Sequence, residues 1–299
     1  MRFSAVWNIL LRCSAILFFS GCEKTLQFDG EKAFSETEAL VKIVPRNAGS
    51  GGARRAAVHL ESRLKAFGLK TAMDTFSEET PSGKMFFNNV LGHLPGKTNR
   101  LIVLASHFDT KSGIAPDFQG ANDSGSSSGV LMELARVLAE HAPFKTGFLV
   151  AFLDGEECRT EYGPHDGLHG SRRLAQRIFD ADDAKRVEAV IVLDMVGDND
   201  LKISVPRNSH RGLVKELFAA AHETGVRSQF SLGTGSVLDD HVPFQIAGMP
   251  AVDIIDFEYG SAPGLNDYWH TPEDTLDKLS VQSLQTVGAV ILRMVENLQ

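Results

Sequence analysis

Four short runs of this chain are almost wholly apolar: Leu101–Ala105 (LIVLA), Phe148–Leu153 (FLVAFL), Ala189–Leu193 (AVIVL) and Ala251–Ile255 (AVDII). A strand with one face in water alternates apolar and polar residues, whereas a run without that alternation is covered on both faces. Segments of helical periodicity fall between and around these runs. Helices are expected over Glu31–Val44, Ala53–Phe67, Gly129–His141, Leu168–Ile178, Leu213–Thr224 and Val281–Asn297. Buried strands alternating with helices predict an α/β fold, a three-layer α/β/α sandwich around a mostly parallel sheet. Two further β-like stretches, Thr71–Phe76 and Met85–Leu94, read as a hairpin, so the sheet should be mixed, with an antiparallel edge. No linker, repeat or low-complexity tract divides the chain after Cys22, and residues 22–299 read as one catalytic domain.

Composition narrows the function classes. With 30 Lys+Arg against 38 Asp+Glu, the net charge is −8. Nucleic-acid binding draws most of its affinity from Lys and Arg on phosphates, so no nucleic-acid partner is expected. No apolar run reaches the roughly 18 residues needed to span a bilayer. Residues 1–21 instead have the form of an export signal: Arg2 and Arg12, a short apolar core from Ser14 to Phe19, then small residues before Cys22. Of three cysteines, Cys13 would leave with the signal and Cys158 would stand alone, so no internal disulfide is expected.

The residues that follow the apolar runs carry the chemistry. LIVLA leads into Ser106-His107-Phe108-Asp109, FLVAFL into Asp154-Gly155-Glu156-Glu157, and AVIVL into Asp194. Open α/β sheets place their sites beyond the carboxyl ends of the strands, so these groups should gather at one edge. Asp123, in the loop Gly120-Ala121-Asn122-Asp123-Ser124-Gly125, and His270, in Tyr268-Trp269-His270-Thr271, are placed to join them. Imidazoles and carboxylates converging beside a spare carboxylate suit a zinc site with an open position. An adjacent Glu-Glu pair by itself is commonly solvated surface, but here several such groups follow buried strands. Glu156-Glu157 divides naturally into one metal ligand and one free proton carrier.

These motifs resemble, in order, those of the co-catalytic zinc aminopeptidases and of the animal-type glutaminyl cyclases that share their fold. In the aminopeptidases, the positions matching His107, Asp123 and Asp194 hold one zinc, and those matching Asp123, Glu157 and His270 hold a second. The position of Glu156 is the general base. Three segments are similar to the cyclase branch. Pro164-His165-Asp166 with His169-Gly170-Ser171-Arg172 resembles the cyclase Pro-x-Asp and Tyr-Gly-Ser-Arg pattern. Asp239-Asp240-His241-Val242-Pro243-Phe244 resembles Asp-Asp-His-x-Pro-Phe, and Trp269-His270-Thr271 resembles Trp-His-Thr. The likeness runs from about residue 40 to the C-terminus. Tyr162 stands where animal cyclases have Trp, Asp253 where they have a pocket His, and Ser106 and Ser128 where some have a disulfide.

The resemblance implies conversion of N-terminal glutamine in peptides or proteins to pyroglutamate, with release of ammonia, by a monomeric enzyme. It implies one zinc on Asp123, Glu157 and His270, with Glu156, Asp194 and Asp239 catalytic and Tyr162 and Trp269 lining the pocket. Asp194 is expected to hydrogen-bond Asp239 rather than a second metal. The alternative is a two-zinc aminopeptidase, using His107 and Asp194 as further ligands. Phe19-Ser20-Gly21-Cys22 resembles the bacterial lipoprotein processing box, which implies an exported protein, periplasmic or at the cell surface, whose membrane contact is a lipid on Cys22. Membrane-fractionated protein should therefore carry lipid at Cys22, and Cys22→Ser should release the protein or block its processing. Unlipidated, uncleaved protein in the soluble cytoplasmic fraction would refute this.

Overall fold

The computed structural model describes residues 26–299, so the signal segment and Cys22 lie outside the described residues. The central sheet has six strands in the order β1-β2-β4-β3-β5-β8. Its strands are β1 (Lys70–Thr80), β2 (Gly83–Leu94), β3 (Leu101–His107), β4 (Gly147–Leu153), β5 (Val187–Asp194) and β8 (Ala251–Ile255). The hairpin β1–β2 is antiparallel and forms one edge, β2 pairs antiparallel with β4, and β4, β3, β5 and β8 run parallel. The mixed sheet with its antiparallel edge is thus the architecture the patterning predicts.

Period-two alternation explains the three layers. Ile102 and Leu104 of β3, Phe148, Val150 and Phe152 of β4, and Ile191 and Leu193 of β5 point to one face. There they meet α1 (Gly30–Val41), α2 (Gly51–Ala66), α3 (Ser127–His141), α5 (Arg211–Glu223) and α7 (Val281–Asn297). Their neighbours Val103, Ala105, Ala151, Leu153, Val190 and Val192 point the other way, onto α4 (His169–Asp180) and α6 (His241–Ile246). Each fully buried Val, Leu, Ile or Phe contributes roughly 1.5–3 kcal/mol of hydrophobic free energy. Packing is close where α1 crosses α3: a Cβ on Gly129 would lie 2.0 Å from Thr37 Oγ1.

Several boundaries differ from the sequence reading. The first helix ends at Val41, not Val44, because Pro45 disfavours helical backbone in the residue before it. Leu168, expected inside α4, precedes it with a left-handed φ of 54°. A small parallel pair, β6 (Ile203–Val205) with β7 (Phe230–Leu232), and the six-residue α6 were not anticipated, being too short to carry a periodic signal. No helix among the described residues is long and apolar enough to cross a membrane.

The hairpin edge is fastened to the sheet's smaller helical layer by Asp74 of β1. Its carboxylate meets Arg173 Nε at 3.2 Å and Arg177 Nη1 at 2.7 Å, both on α4. Burial would raise the Asp74 pKa, but the two guanidinium groups outweigh it and hold the carboxyl below its ordinary value of 3.8. A depressed folded pKa means stability that is present above the unfolded value and lost as pH falls through the folded one. Asp74→Asn should therefore destabilise the fold by about 1–2 kcal/mol at pH 7. Urea titrations should show the gap between variant and wild type closing in acid; a gap independent of pH would contradict the pairing.

Candidate active site

Three of the four buried strands deliver functional residues at their carboxyl ends. His107 is the last residue of β3, Asp194 the last of β5, and Asp154-Gly155-Glu156-Glu157 follows β4. Gly155, with φ +78°, makes the turn out of β4, and a Cβ there would lie 2.6 Å from the Phe87 ring. Asp123 comes from the turn Ala121–Ser126 ahead of α3, and His270 from the loop between β8 and α7. His270 (φ 55°) and Met195 (φ 48°), which follows Asp194, both hold left-handed backbone that non-glycine residues rarely adopt. Such strain concentrates where surrounding structure fixes a functional side chain.

Asp123 is the hub. His107 Nε2 lies 3.2 Å from Asp123 Oδ1 and 3.2 Å from Asp194 Oδ1. His270 Nε2 lies 3.2 Å from Asp123 Oδ2 and 2.9 Å from Glu157 Oε1. Two donor sets result, His107/Asp123/Asp194 and Asp123/Glu157/His270, and within each the donor atoms all lie within 4.8 Å of one another. Trp269 Nε1 donates to Asp123 Oδ2 at 3.0 Å and its ring stacks on His270. Glu156 belongs to neither set; the Tyr162 hydroxyl donates to its Oε1 at 2.9 Å. The expected hydrogen bond between Asp194 and Asp239 is not formed: Asp194 Oδ1 pairs with His107 Nε2, and Asp239 Oδ1 accepts the Asp240 backbone N–H. Asp239 acts on Asp194 through space.

Asp123, Glu156, Glu157, Asp194, Asp239 and His270 line a cleft of about 190 Å³ walled by Tyr162, Trp269, Phe257, Met195, Val237 and Leu238. The two aromatic residues singled out from the sequence, Tyr162 and Trp269, are both in it. Asp253 is not; it is fully buried behind the site.

Sequence reasoning missed the residues that hold the ligands in place. Asp109 stood in the first motif without a role. Its carboxylate accepts the backbone N–H groups of Gly155 (2.9 Å), Glu156 (3.0 Å) and Glu157 (3.3 Å), fixing the whole turn that carries both glutamates. Asp274 accepts from the backbone of Asn122 (2.7 Å) and Asp123 (3.2 Å) and from the Tyr259 hydroxyl (2.8 Å). Arg46, fully buried, donates to the carbonyls of Phe108 and Gly120, both at 3.0 Å. Burial pushes its pKa down to about 10 despite Asp274, Asp109 and Asp123, so it is still charged at neutral pH. A carboxylate three residues into a strand–loop motif is a readable signal; Asp274 had none.

Electrostatically the site is overloaded with acid. Burial, and then the charge of Asp123, pushes Glu157 up to about 7. Burial does the same to Asp194 and Asp239, each to about 7, and raises Glu156 well above its ordinary value. Burial opposes charge on His107 and His270, yet Asp194, Asp109 and Asp123 hold the first high, and Asp123 and Glu157 raise the second to about 9. Buried carboxylates this close need a compensating cation. Two carboxylates and an imidazole nitrogen are the donor types of an open zinc site, and Glu157 Oε2, buried, accepts no hydrogen bond, with the Lys111 ammonium 3.5 Å away. The residues fit a metal.

The sequence matches the model of peptidase family M28 over residues 89–295. The chain belongs to that family. Among solved structures, this M28 protein is similar to an Acidobacteriales bacterium glutaminyl cyclase (35% identical, TM-score 0.86, covering 92% of this chain and 96% of that one). It is also similar to a Zn-dependent exopeptidase from Parabacteroides distasonis (26% identical, TM-score 0.81, 91% and 99% covered). Among curated proteins it is 32% identical to a glutaminyl-peptide cyclotransferase-like protein of Mus musculus over 285 residues, 84% of this chain and 72% of that one. The resemblance read from the motifs is thus shown by sequence and by fold.

The three hydrogen bonds on Asp109 generate a test that does not need a substrate. Asp109→Asn would turn an amide NH₂ toward one of the three N–H donors and loosen the Glu156-Glu157 turn. Zinc affinity, followed by calorimetric titration, should fall by about 10–100-fold, the usual scale for losing a supporting partner of a metal ligand. Wild-type affinity in this variant would show that Asp109 does not hold the ligand turn.

Proposed function

We infer that this chain is a glutaminyl-peptide cyclotransferase, closing the N-terminal glutamine of a peptide to pyroglutamate with release of ammonia. The observation that carries the reading is the small aromatic-walled cleft set over a zinc-type donor trio with a free glutamate beside it. The likeness to the Acidobacteriales cyclase supports it. Asp123, Glu157 and His270 are the residues that would hold one zinc; this trio borders the cleft, whereas His107 is almost completely buried. Zinc at this place supplies a Lewis acid that polarises the side-chain carbonyl of the glutamine.

The remaining steps belong to the chain's own groups. The α-amine attacks the side-chain carbonyl carbon, a nitrogen–carbon bond forms, and the bond to the amide nitrogen breaks. Glu156 takes the proton from the attacking amine and delivers it to the departing nitrogen, which leaves as ammonia, so no co-reactant is required. The Tyr162 hydroxyl orients Glu156 for both transfers. Asp239 faces the cleft and receives the amide N–H₂ group, with Asp194 beside it. Trp269, Tyr162 and Phe257 exclude water, which favours the internal amine over hydrolysis. Export and lipidation at Cys22 are part of the same proposal, supported by the Phe19–Cys22 segment.

Purified protein incubated with Gln-X and Leu-X peptides and read by mass should lose ammonia from the first and leave the second intact. Metal analysis should give one zinc per chain. Asp239→Ala should keep that zinc while slowing cyclisation by a factor on the order of 10² or more, the scale for losing a positioned proton-transfer group. Two metals per chain, with Leu-X cleavage that survives Asp239→Ala, would overturn the assignment in favour of the aminopeptidase.

A further inference from the structure

Beside the catalytic cleft, between α4 and α6, lies a second and larger hollow of about 430 Å³. Its floor is apolar, made by Leu168, Ala175, Val242 and Ala247, and its rim carries Phe179, Leu238 and Ile246. The rim side chains are 57%, 50% and 82% exposed. Large apolar side chains left together in water mark a place where something docks.

Two observations say what docks there. Tyr162 and Leu238 line both the hollow and the cleft, so the two spaces are separated by one shared wall. The cleft, at about 190 Å³, is smaller than the roughly 300 Å³ at which ligand pockets usually begin. It encloses one residue, and the rest of a peptide must leave through its mouth. Two charged side chains, Asp166 and Arg172, border the hollow. Asp166 spends both carboxylate oxygens on the backbone N–H groups of Arg159, Thr160 and Glu161, and Arg172 donates through Nη1 to the Gly163 carbonyl, while its buried Nη2 has no hydrogen-bond partner.

We propose that this hollow is a substrate subsite for an apolar side chain in the first two residues after the cyclising glutamine. The proposal rests on the cyclase reading above and adds a selectivity to it: peptides whose glutamine is followed by leucine- or phenylalanine-like residues. Docking such a side chain is uniform binding, shared by ground and transition states, so it lowers KM more than it raises kcat.

The test compares three amidated tripeptides, Gln-Ala-Ala, Gln-Phe-Ala and Gln-Ala-Phe, with wild type and with Ile246→Ser and Phe179→Ser. Both variants replace exposed side chains outside the catalytic machinery. Wild type should favour at least one phenylalanine peptide over Gln-Ala-Ala by about tenfold in kcat/KM, mostly through KM. Each variant should shrink that preference to within about twofold while turning over Gln-Ala-Ala as wild type does. Equal kcat/KM for all three peptides in wild type would overturn the subsite and leave the cyclase reading intact. No pyroglutamate from any peptide would overturn both. A dimer in sedimentation that dissociates in Ile246→Ser, with the peptide preference unchanged, would overturn the subsite by assigning the patch to a second copy of the chain.

Discussion

The structure is organised around negative charge that has been taken out of water. Asp109, Asp123, Asp154, Asp194, Asp239, Asp240 and Asp274 and the pair Glu156-Glu157 are all buried at one end of the sheet. Isolated carboxylates in such a place would simply protonate or unfold the region. The fold answers several of them directly. Asp109 and Asp274 are ringed by backbone N–H groups, Arg46 contributes a buried cation, and His107 bridges Asp123 and Asp194. These devices do not balance all of the buried acid, and Asp123, Glu157 and His270 come together at the cleft as a metal-type donor set, which is where a dication belongs.

The same accounting explains what the sequence could and could not disclose. Runs such as LIVLA and AVIVL announce strands covered on both faces, and the residue after each run is committed to the carboxyl edge by topology alone. Asp123, Glu157, His270, His107 and Asp194 were therefore legible, since their places follow from strand ends and loops. Asp274 and Arg46 were not. Their task is to hydrogen-bond the backbone of distant segments, a relation that exists only once the chain is folded. The short β6, β7 and α6 were hidden for a related reason: three to six residues are fewer than the periods that would reveal them.

The resemblance implies the same ligand positions for cyclase and aminopeptidase, so the metal site by itself separates them poorly. What separates them is the space above it. The ring of Tyr162 walls the cleft while its hydroxyl reaches Glu156. Trp269 likewise does two things, stacking on His270 and donating to Asp123. An aromatic group tied by hydrogen bond to a catalytic or ligating carboxylate cannot swing away to admit water without breaking that bond. Closure and ligand orientation are thus coupled through the same two side chains, which suits a reaction in which water is the competing nucleophile.

Asp253, at the position where the resemblance to the animal-type cyclases implies a histidine, is the residue that most needs a physical account. It is fully buried, and neither of its oxygens has a hydrogen-bond partner. Its nearest polar neighbour is fixed by a chain of bonds. Asn208 accepts from the Val237 backbone through Oδ1 and donates through Nδ2 to the Val237 carbonyl and to His241 Nε2. His241 Nε2 is therefore the acceptor nitrogen, so the neutral ring carries its proton on Nδ1, 3.7 Å from Asp253 Oδ2. Burial also pushes His241 down to about 4, so this ring stays neutral. Burial together with Asp239, Asp194 and Asp240 drives the Asp253 pKa well above its ordinary value, which favours the neutral acid. A protonated carboxyl and a neutral imidazole are alike in the respect that matters here: each brings a hydrogen-bond donor and no charge. A second anion behind Asp239 would compete with the metal for compensation, whereas a neutral acid leaves the charge balance of the site where the histidine would have left it.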